Sequence, residues 1–251
     1  MTHPKNTSSI LPVSGPFWWM LVAAVSFVGS ACAPIYMPVS PNTPMLKERG
    51  EVKAELNAST SGLEIKGAYA LTDNQVIAGM LSAGAGDADD DFTDRSIHRY
   101  GEVAYGYIVR PAPYFLAESF GGIGLGFGRG EGRLTIGEST SKIIAEGTYF
   151  KPFLQNNLAI QTGILDFGLV NRLSLIQFRS IDWVGTDKET ITSPSSPLFW
   201  EPSVFLQVGS DRFKLASHLG LSTPIAGSPD FHWLFLHMGL GINYRFSGSP
   251  R

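Results

Sequence analysis

Two stretches place a histidine near groups that could activate a nucleophile. His98 follows Asp94, and His232 follows Ser228 and Asp230. A histidine oriented by a carboxylate can draw the proton from a hydroxyl, but such centres are defined by geometry, and neither stretch carries a nucleophile elbow or another local motif. His218 and His237 offer two imidazoles without a third ligand, which suits a buried hydrogen-bonding role better than a metal site. The acidic run DADDDFTD, residues 87–94, presents Asp87, Asp89 and Asp91 as hard oxygen ligands for Ca²⁺. It lacks the glycine an EF-hand loop needs at its sixth place and has His98 where that loop has glutamate, so a solvated loop is the better reading. In GGIGLGFGRGEG, residues 121–132, glycines recur at every second place. That spacing describes a strand, whereas a phosphate cradle needs a turn opening into a helix. The expectation is a protein that is not an enzyme and has no metal and no cofactor.

The single cysteine carries the clearest chemistry. It closes SFVGSAC, after FWWMLVAAVSFVGSA at residues 17–31 and a leading stretch with Lys5 and no acid. A positive start, a short apolar run and small residues before a cleavage point form a secretory leader, and the run is shorter than the roughly 20 residues of a spanning helix. Ser30 and Ala31 before Cys32 resemble a bacterial lipobox, in which the thiol receives a diacylglycerol and cleavage leaves the cysteine first. Gly29 departs from the aliphatic residue usual there. The alternative is an ordinary leader or an N-terminal helix with an incidental cysteine. Ala33 follows, so no acidic residue argues for retention at an inner membrane.

The surrounding elements must position these groups. In 251 residues, 43% hydrophobic content requires a fold, and a net charge of −3 provides no basic field for nucleic acid. One cysteine excludes an intrachain disulfide framework and a thiolate zinc site. Abundant glycine and aromatics with 16% charged residues favour strands. CAPIYMPVSPNTPML, residues 32–46, has four prolines and no periodicity and reads as an extended tether. From residue 51 the pattern changes to strict period two: EVKAELNA alternates Glu51, Lys53, Glu55 and Asn57 with Val52, Ala54, Leu56 and Ala58. GLEIKGAYAL repeats it across the turn STS.

Further strands are predicted near 74–84, 97–110, 114–128, 141–153, 157–181, 198–209, 212–223 and 231–246. Tight turns at TDN, PAP, QNN and GSD alternate with longer polar loops. In the segment 157–181, Gln161 and Asp166 have opposite parity, so one continuous strand needs a β-bulge, and division into two would change a count of 8 to 10. Short turns at one end, long loops at the other and about ten strands describe an all-β, antiparallel up-and-down transmembrane β-barrel. The expected divisions are a signal peptide over 1–31, a lipidated tether over 32–49, the barrel over 50–246 and a tail over 247–251.

If the apolar face meets lipid, the polar face collects Glu51, Glu55, Glu64, Glu102, Glu118, Glu146 and Glu201 against Lys53, Lys66, Lys142, Arg172, Lys214 and Arg245. Such a near-neutral set would pair across a narrow lumen and close it. Glycines 122, 124, 126 and 128 would leave room on that face for larger groups. Trp200 and Tyr244 would join interfacial girdles. A soluble, lipid-anchored barrel with an apolar cavity, like a lipocalin, would invert every facing.

Cys32 with IYMP, then NTPMLKERGEVKAE, GLEIKGAYALTDN, GEVAYGY, AESFGGIGLGFG and EPSVFLQVG, resembles the small outer-membrane β-barrel lipoproteins of Bacteroidetes-type Gram-negative bacteria. The resemblance implies the anchor, with outer-membrane lipid around it, and the architecture. It implies no catalytic residues. The function expected is that of a lipid-anchored structural or accessory surface component, its long loops binding another surface protein or a glycan; a lipid hydrolase is the enzymatic alternative.

Overall fold

The computed structural model describes residues 34–87, 95–136, 139–184 and 189–246, and leaves aside the side chains of residues 87, 133–142, 184 and 189. The alternating segments form β1 (Val52–Ser59), β2 (Gly62–Ala70), β3 (Gln75–Asp87), β4 (Arg95–Ala112), β5 (Phe115–Ile136), β6 (Ser139–Gln161) and β7 (Leu165–Leu175). After them come β8 (Gln177–Phe178), β9 (Ile181–Val184), β10 (Glu189–Ile191), β11 (Leu198–Gly209), β12 (Phe213–Leu221), β13 (Thr223–Ala226) and β14 (Leu236–Phe246). Each of β1 to β6 pairs antiparallel with the next, β7 with β11, β11 with β12, and β12 with β14. Pairing of β14 with β1 closes a barrel of ten strands. The short β8 and β9 carry the line of β7 upward along β6, and β13 carries that of β12 along β11.

Turns at residues 71–74, 113–114, 162–164 and 210–212 lie at one end, beside Val52 and Phe246. The other end bears the longer connections, from β3 to β4, β7 to β11 and β12 to β14, together with tight ones between β1 and β2 and between β5 and β6. Among the described residues no helix is long and apolar enough to cross a membrane. Closure gives the strands no free edge around the ring, as the hydrocarbon interior demands.

The exterior is apolar to a degree that water would not tolerate. Ile65, Leu81, Val103, Leu125, Leu154, Leu215 and Leu240 are between 57% and 71% exposed and form a continuous belt. Exposed Tyr69, Tyr107, Tyr114, Phe213, Tyr244 and Phe246 ring its short-turn side, while Phe150, Trp200 and Phe235 lie toward the other. Inward positions carry Glu, Lys, Arg, Asn and Gln. The polar interior overturns the alternative of an apolar, ligand-holding cavity. The glycine row of β5 faces inward as expected. A Cβ on Gly122, Gly124, Gly126 or Gly128 would run into Phe153, Tyr100, Tyr149 or the Ile35 backbone.

Two details differ from the sequence reading. QNN, residues 155–157, is not a turn; it lies within β6, where Gln155 and Asn157 point inward and Asn156 outward. The chain reverses instead at Thr162–Gly163–Ile164, with Gly163 at φ 89° and the Thr162 hydroxyl donating to Leu165 O at 2.6 Å. The parity conflict between Gln161 and Asp166 therefore marks a hairpin, not a bulge, and the count of ten is unchanged.

Replacing Ile123 in the middle of the belt with Arg is expected to destabilise the barrel by about 2–4 kcal/mol. Gly124→Ala, forced against Tyr100, is expected to cost about 1–3 kcal/mol. Gly67→Ala, which meets nothing within 4 Å, is expected to stay within about 0.5 kcal/mol. Urea unfolding of barrels refolded in lipid vesicles measures all three.

Candidate functional site

The lumen is occupied by the chain's own N-terminal segment. Residues 34–46 run inside the barrel from the long-loop end to the short-turn end before the chain enters β1, with Ile35, Tyr36, Val39, Ser40, Thr43, Met45 and Leu46 buried. A proline-rich, extended stretch of this length covers about 40 Å, more than the roughly 25 Å apolar band of such barrels. The segment is extended, as its prolines imply, but it is no external tether. Pro34, Pro38, Pro41 and Pro44 also remove four N–H donors that the lumen would otherwise have to satisfy.

At the long-loop mouth, the Ile35 and Tyr36 N–H groups donate to His232 O at 3.1 and 3.3 Å, and Leu234 N–H donates to Tyr36 O at 3.0 Å. The Tyr36 ring packs among Tyr149, Phe199 and Phe231. Its hydroxyl donates to Glu201 and accepts from Lys151 at 2.8 Å, while Lys151 and Glu201 form an ion pair at 3.1 Å.

Halfway down, Ser40 N–H donates to Glu64 at 3.1 Å, and Asn57 donates to the Ser40 hydroxyl at 3.1 Å. Lys66 lies 2.9 Å from Glu55 and 3.5 Å from Glu64. The Asn42 carbonyl accepts from Gln155 at 2.7 Å and Asn157 at 3.3 Å. Arg172, whose side chain is 2% exposed, grips Glu102 with two bonds of 3.0 and 3.1 Å. Lys53 donates to Thr43 O at 2.9 Å, and Gln207 to its hydroxyl at 3.1 Å.

Near the exit, Met45 takes a φ of 50°, an unusual backbone conformation for a residue with a side chain. Its neighbours fix it there: the N–H donates to Glu118 at 2.9 Å, and the carbonyl accepts from Gln161 at 3.1 Å and Arg245 at 3.2 Å. The Met45 and Leu46 side chains pack with Val76, Ile108, Leu116 and Phe120. Beyond them, Arg110 donates to Leu46 O, Arg49 N–H donates to Asp73 at 3.0 Å, and Lys47 pairs with Asp211 at 3.1 Å. That hydrogen bond and charge hold the Asp211 carboxyl below its usual range.

Of the predicted lumen charges, Glu51, Lys53, Glu55, Glu64, Lys66, Glu102, Glu118, Arg172, Glu201, Lys214 and Arg245 are buried in the interior. Glu51 pairs with Arg245 at 2.8 Å. Glu146 is different: it takes the outward parity of β6 and lies 3.4 Å from Arg129. With 23 residues, β6 outruns the 9–11 or so that cross a bilayer, so its upper part can carry charge on the outer face. Assigning that parity to the whole strand hid Lys151, the partner of Glu201. Asp166, which pairs with Lys214 at 2.8 Å, was lost with the misplaced turn. The Lys142 side chain, the stretch 88–94 and Cys32 lie outside the described residues. Glu118 has a backbone N–H and Asn157 as its partners, the latter at 2.8 Å.

The histidine stretches are tied into structure. Asp230 accepts Ser195 N–H at 2.7 Å, and His232 uses its carbonyl on the segment. His98, His218 and His237 are buried in the lumen; His218 lies 3.3 Å from Glu55.

An apolar belt outside, aromatics at its margins, charges inside and closed antiparallel pairing meet the demands of a bilayer. The architecture is that of an outer-membrane β-barrel. Among solved structures the chain is similar to the translocator domain of the autotransporter NalP from Neisseria meningitidis, at 12% identity and TM-score 0.45 over 92% of this chain and 95% of that one. It is also similar to the KdgM porin, at 10% identity and TM-score 0.36 over 78% and 99% of the two chains. CarO from Acinetobacter baumannii gives 10% and 0.36 over 82% and 100%. No family model matches, and no curated protein does. At these identities none of those proteins' activities transfers to this chain.

Glu102→Ala would strand the Arg172 guanidinium and is expected to cost about 3–5 kcal/mol. The double change Glu102→Met/Arg172→Met is expected to cost less than the single one. Glu118→Ala is expected to cost about 1–3 kcal/mol by orphaning Met45 N–H, with Glu118→Gln milder. Heat-induced gel mobility shifts and urea midpoints read out each.

Proposed function

We propose that the protein is a closed outer-membrane barrel, lipid-anchored through Cys32, that acts as a structural or accessory component of the cell surface without transporting solutes or catalysing a reaction. The observation that carries this reading is the filled lumen. A buried segment bonded to the wall at both mouths and midway leaves no route for solute, and the buried ion pairs around it are fixed by their neighbours. The interaction-competent parts are then the long connections at one end, held by a rigid wall, which suits contact with another surface protein or a glycan. The anchor is supported by the short apolar leader and the small residues before Cys32.

Purified protein in a planar bilayer is expected to show no steady conductance, and removal of residues 34–46 is expected to produce one. Porin-sized currents from the intact chain would overturn the closed-lumen reading. Labelled palmitate is expected to enter the wild-type protein and not Cys32→Ala. Label retained in the variant would remove the anchor from the proposal.

A further inference from the structure

The direction in which the N-terminal segment runs has a topological consequence. Ile35 lies at the long-loop mouth, bonded to His232 and packed against Gly128 and Trp183, whereas Met45 and Leu46 reach Glu118, Gln161 and Arg110 beside the short turns. Outer-membrane barrels place short turns in the periplasm and long loops outside. The chain therefore descends the lumen inward once and then turns up into β1.

We propose that the protein is threaded from the cell surface, so that Cys32 and Ala33 lie at the external mouth and the anchor sits in the outer leaflet. The location of the anchor rests on the acylation reading given above; the threading does not. Chain length decides between the leaflets. From Pro34 to Cys32 two residues reach about 7 Å, whereas the apolar band is about 25 Å tall. With residues 34–46 seated, an acyl chain on Cys32 has no way to the inner leaflet. The filled lumen also cannot pass a diacylglycerol after closure, so the segment must be laid in place before β14 pairs with β1. The wall suits this role, because it binds the segment chiefly through backbone groups: carbonyls of Pro41, Asn42, Thr43, Met45 and Leu46 accept from Lys66, Gln155, Lys53, Arg245 and Arg110. These bonds hold the path at a fixed register between the two mouths.

Protease sites inserted singly in the full-length protein test the threading, one between Ala33 and Pro34 and one between Glu48 and Arg49. In intact cells, the first is expected to be cut by added protease, read as near-complete conversion to a new N-terminus at the inserted site by mass spectrometry. The second is expected to be cut only after the outer membrane is permeabilised. Protection of the first site until permeabilisation, or cleavage of the second in intact cells, would overturn the proposal. Heat-modifiable mobility confirms that each variant is folded. If an insertion prevents folding, single cysteines in a Cys32→Ala background, Ala33→Cys and Glu48→Cys, are probed with a membrane-impermeant maleimide and read the same way. Palmitate labelling is scored separately: its absence removes the outer-leaflet anchor but leaves the threading standing, while a labelled protein cut only after permeabilisation keeps the anchor and defeats the threading.

Discussion

A polypeptide without secondary structure that crosses the depth of a membrane must find a partner for its backbone polar groups inside the protein. Water is scarce there, and an unmet amide or carbonyl costs several kcal/mol in hydrocarbon-like surroundings. Residues 34–46 impose that demand on the barrel, and much of the lumen follows from it. Glu64 and Glu118 meet N–H groups, while Lys53, Gln155, Gln161 and Arg245 meet carbonyls. Prolines lower the demand from the other side by deleting donors. The result is a wall in which acids stand where the segment offers N–H, and bases and amides where it offers C=O.

The same demand explains why the lumen charges are not only ion pairs across a narrow tube. Arg172 of β7 with Glu102 of β4 is such a pair, whereas Lys66 and Glu55 face each other on the neighbouring strands β2 and β1. Lys53 and Glu118 instead spend their charge on the segment's backbone. Lys151 and Glu201 do both at once, sharing the Tyr36 hydroxyl between them. A barrel of ten strands is wide enough for one extended chain plus its shell of side chains. The inward glycines of β5 supply part of that width, since rings of Tyr100, Tyr149 and Phe153 occupy the space their side chains leave.

Legibility in the sequence followed the range of the interaction. Period-two alternation is a local property, and it placed Lys53, Glu55, Glu64 and Lys66 on the inner face because a half-buried strand has no other way to sort polar from apolar. Parity failed where a strand leaves the membrane: above the belt both faces of β6 are wet or covered by neighbours, so Glu146 gave no sign of its side and Lys151 was masked with it. The hairpin at Thr162–Ile164 was concealed because Gly163 is flanked by ordinary residues, while the polar run QNN imitated a turn; its amides are polar because they face the segment and the adjoining strand. The path of residues 34–46 was not legible at all. Four prolines specify an extended chain but contain no statement of what surrounds it, and the matching acceptors and donors are scattered from Glu51 to Arg245.

That scatter bears on how the molecule can form. Contacts between the segment and the wall join residues as far apart as Met45 and Arg245, so they cannot be complete until the last strand arrives. Local β-hairpins, in contrast, close over short loops at low entropic cost. A sheet assembled hairpin by hairpin from β1 onward would present a trough of half-satisfied lumen groups, and the adjacent segment, tethered directly to β1, is the nearest chain able to fill it. Seating the segment in that trough before β14 meets β1 avoids forcing a chain with bulky Tyr36 and Met45 through a finished ring. Late closure then adds Arg245 of β14 to the bonds from Glu118 and Gln161 that hold Met45 in its positive-φ turn, so the strain of that turn is fully met only when the ring is complete.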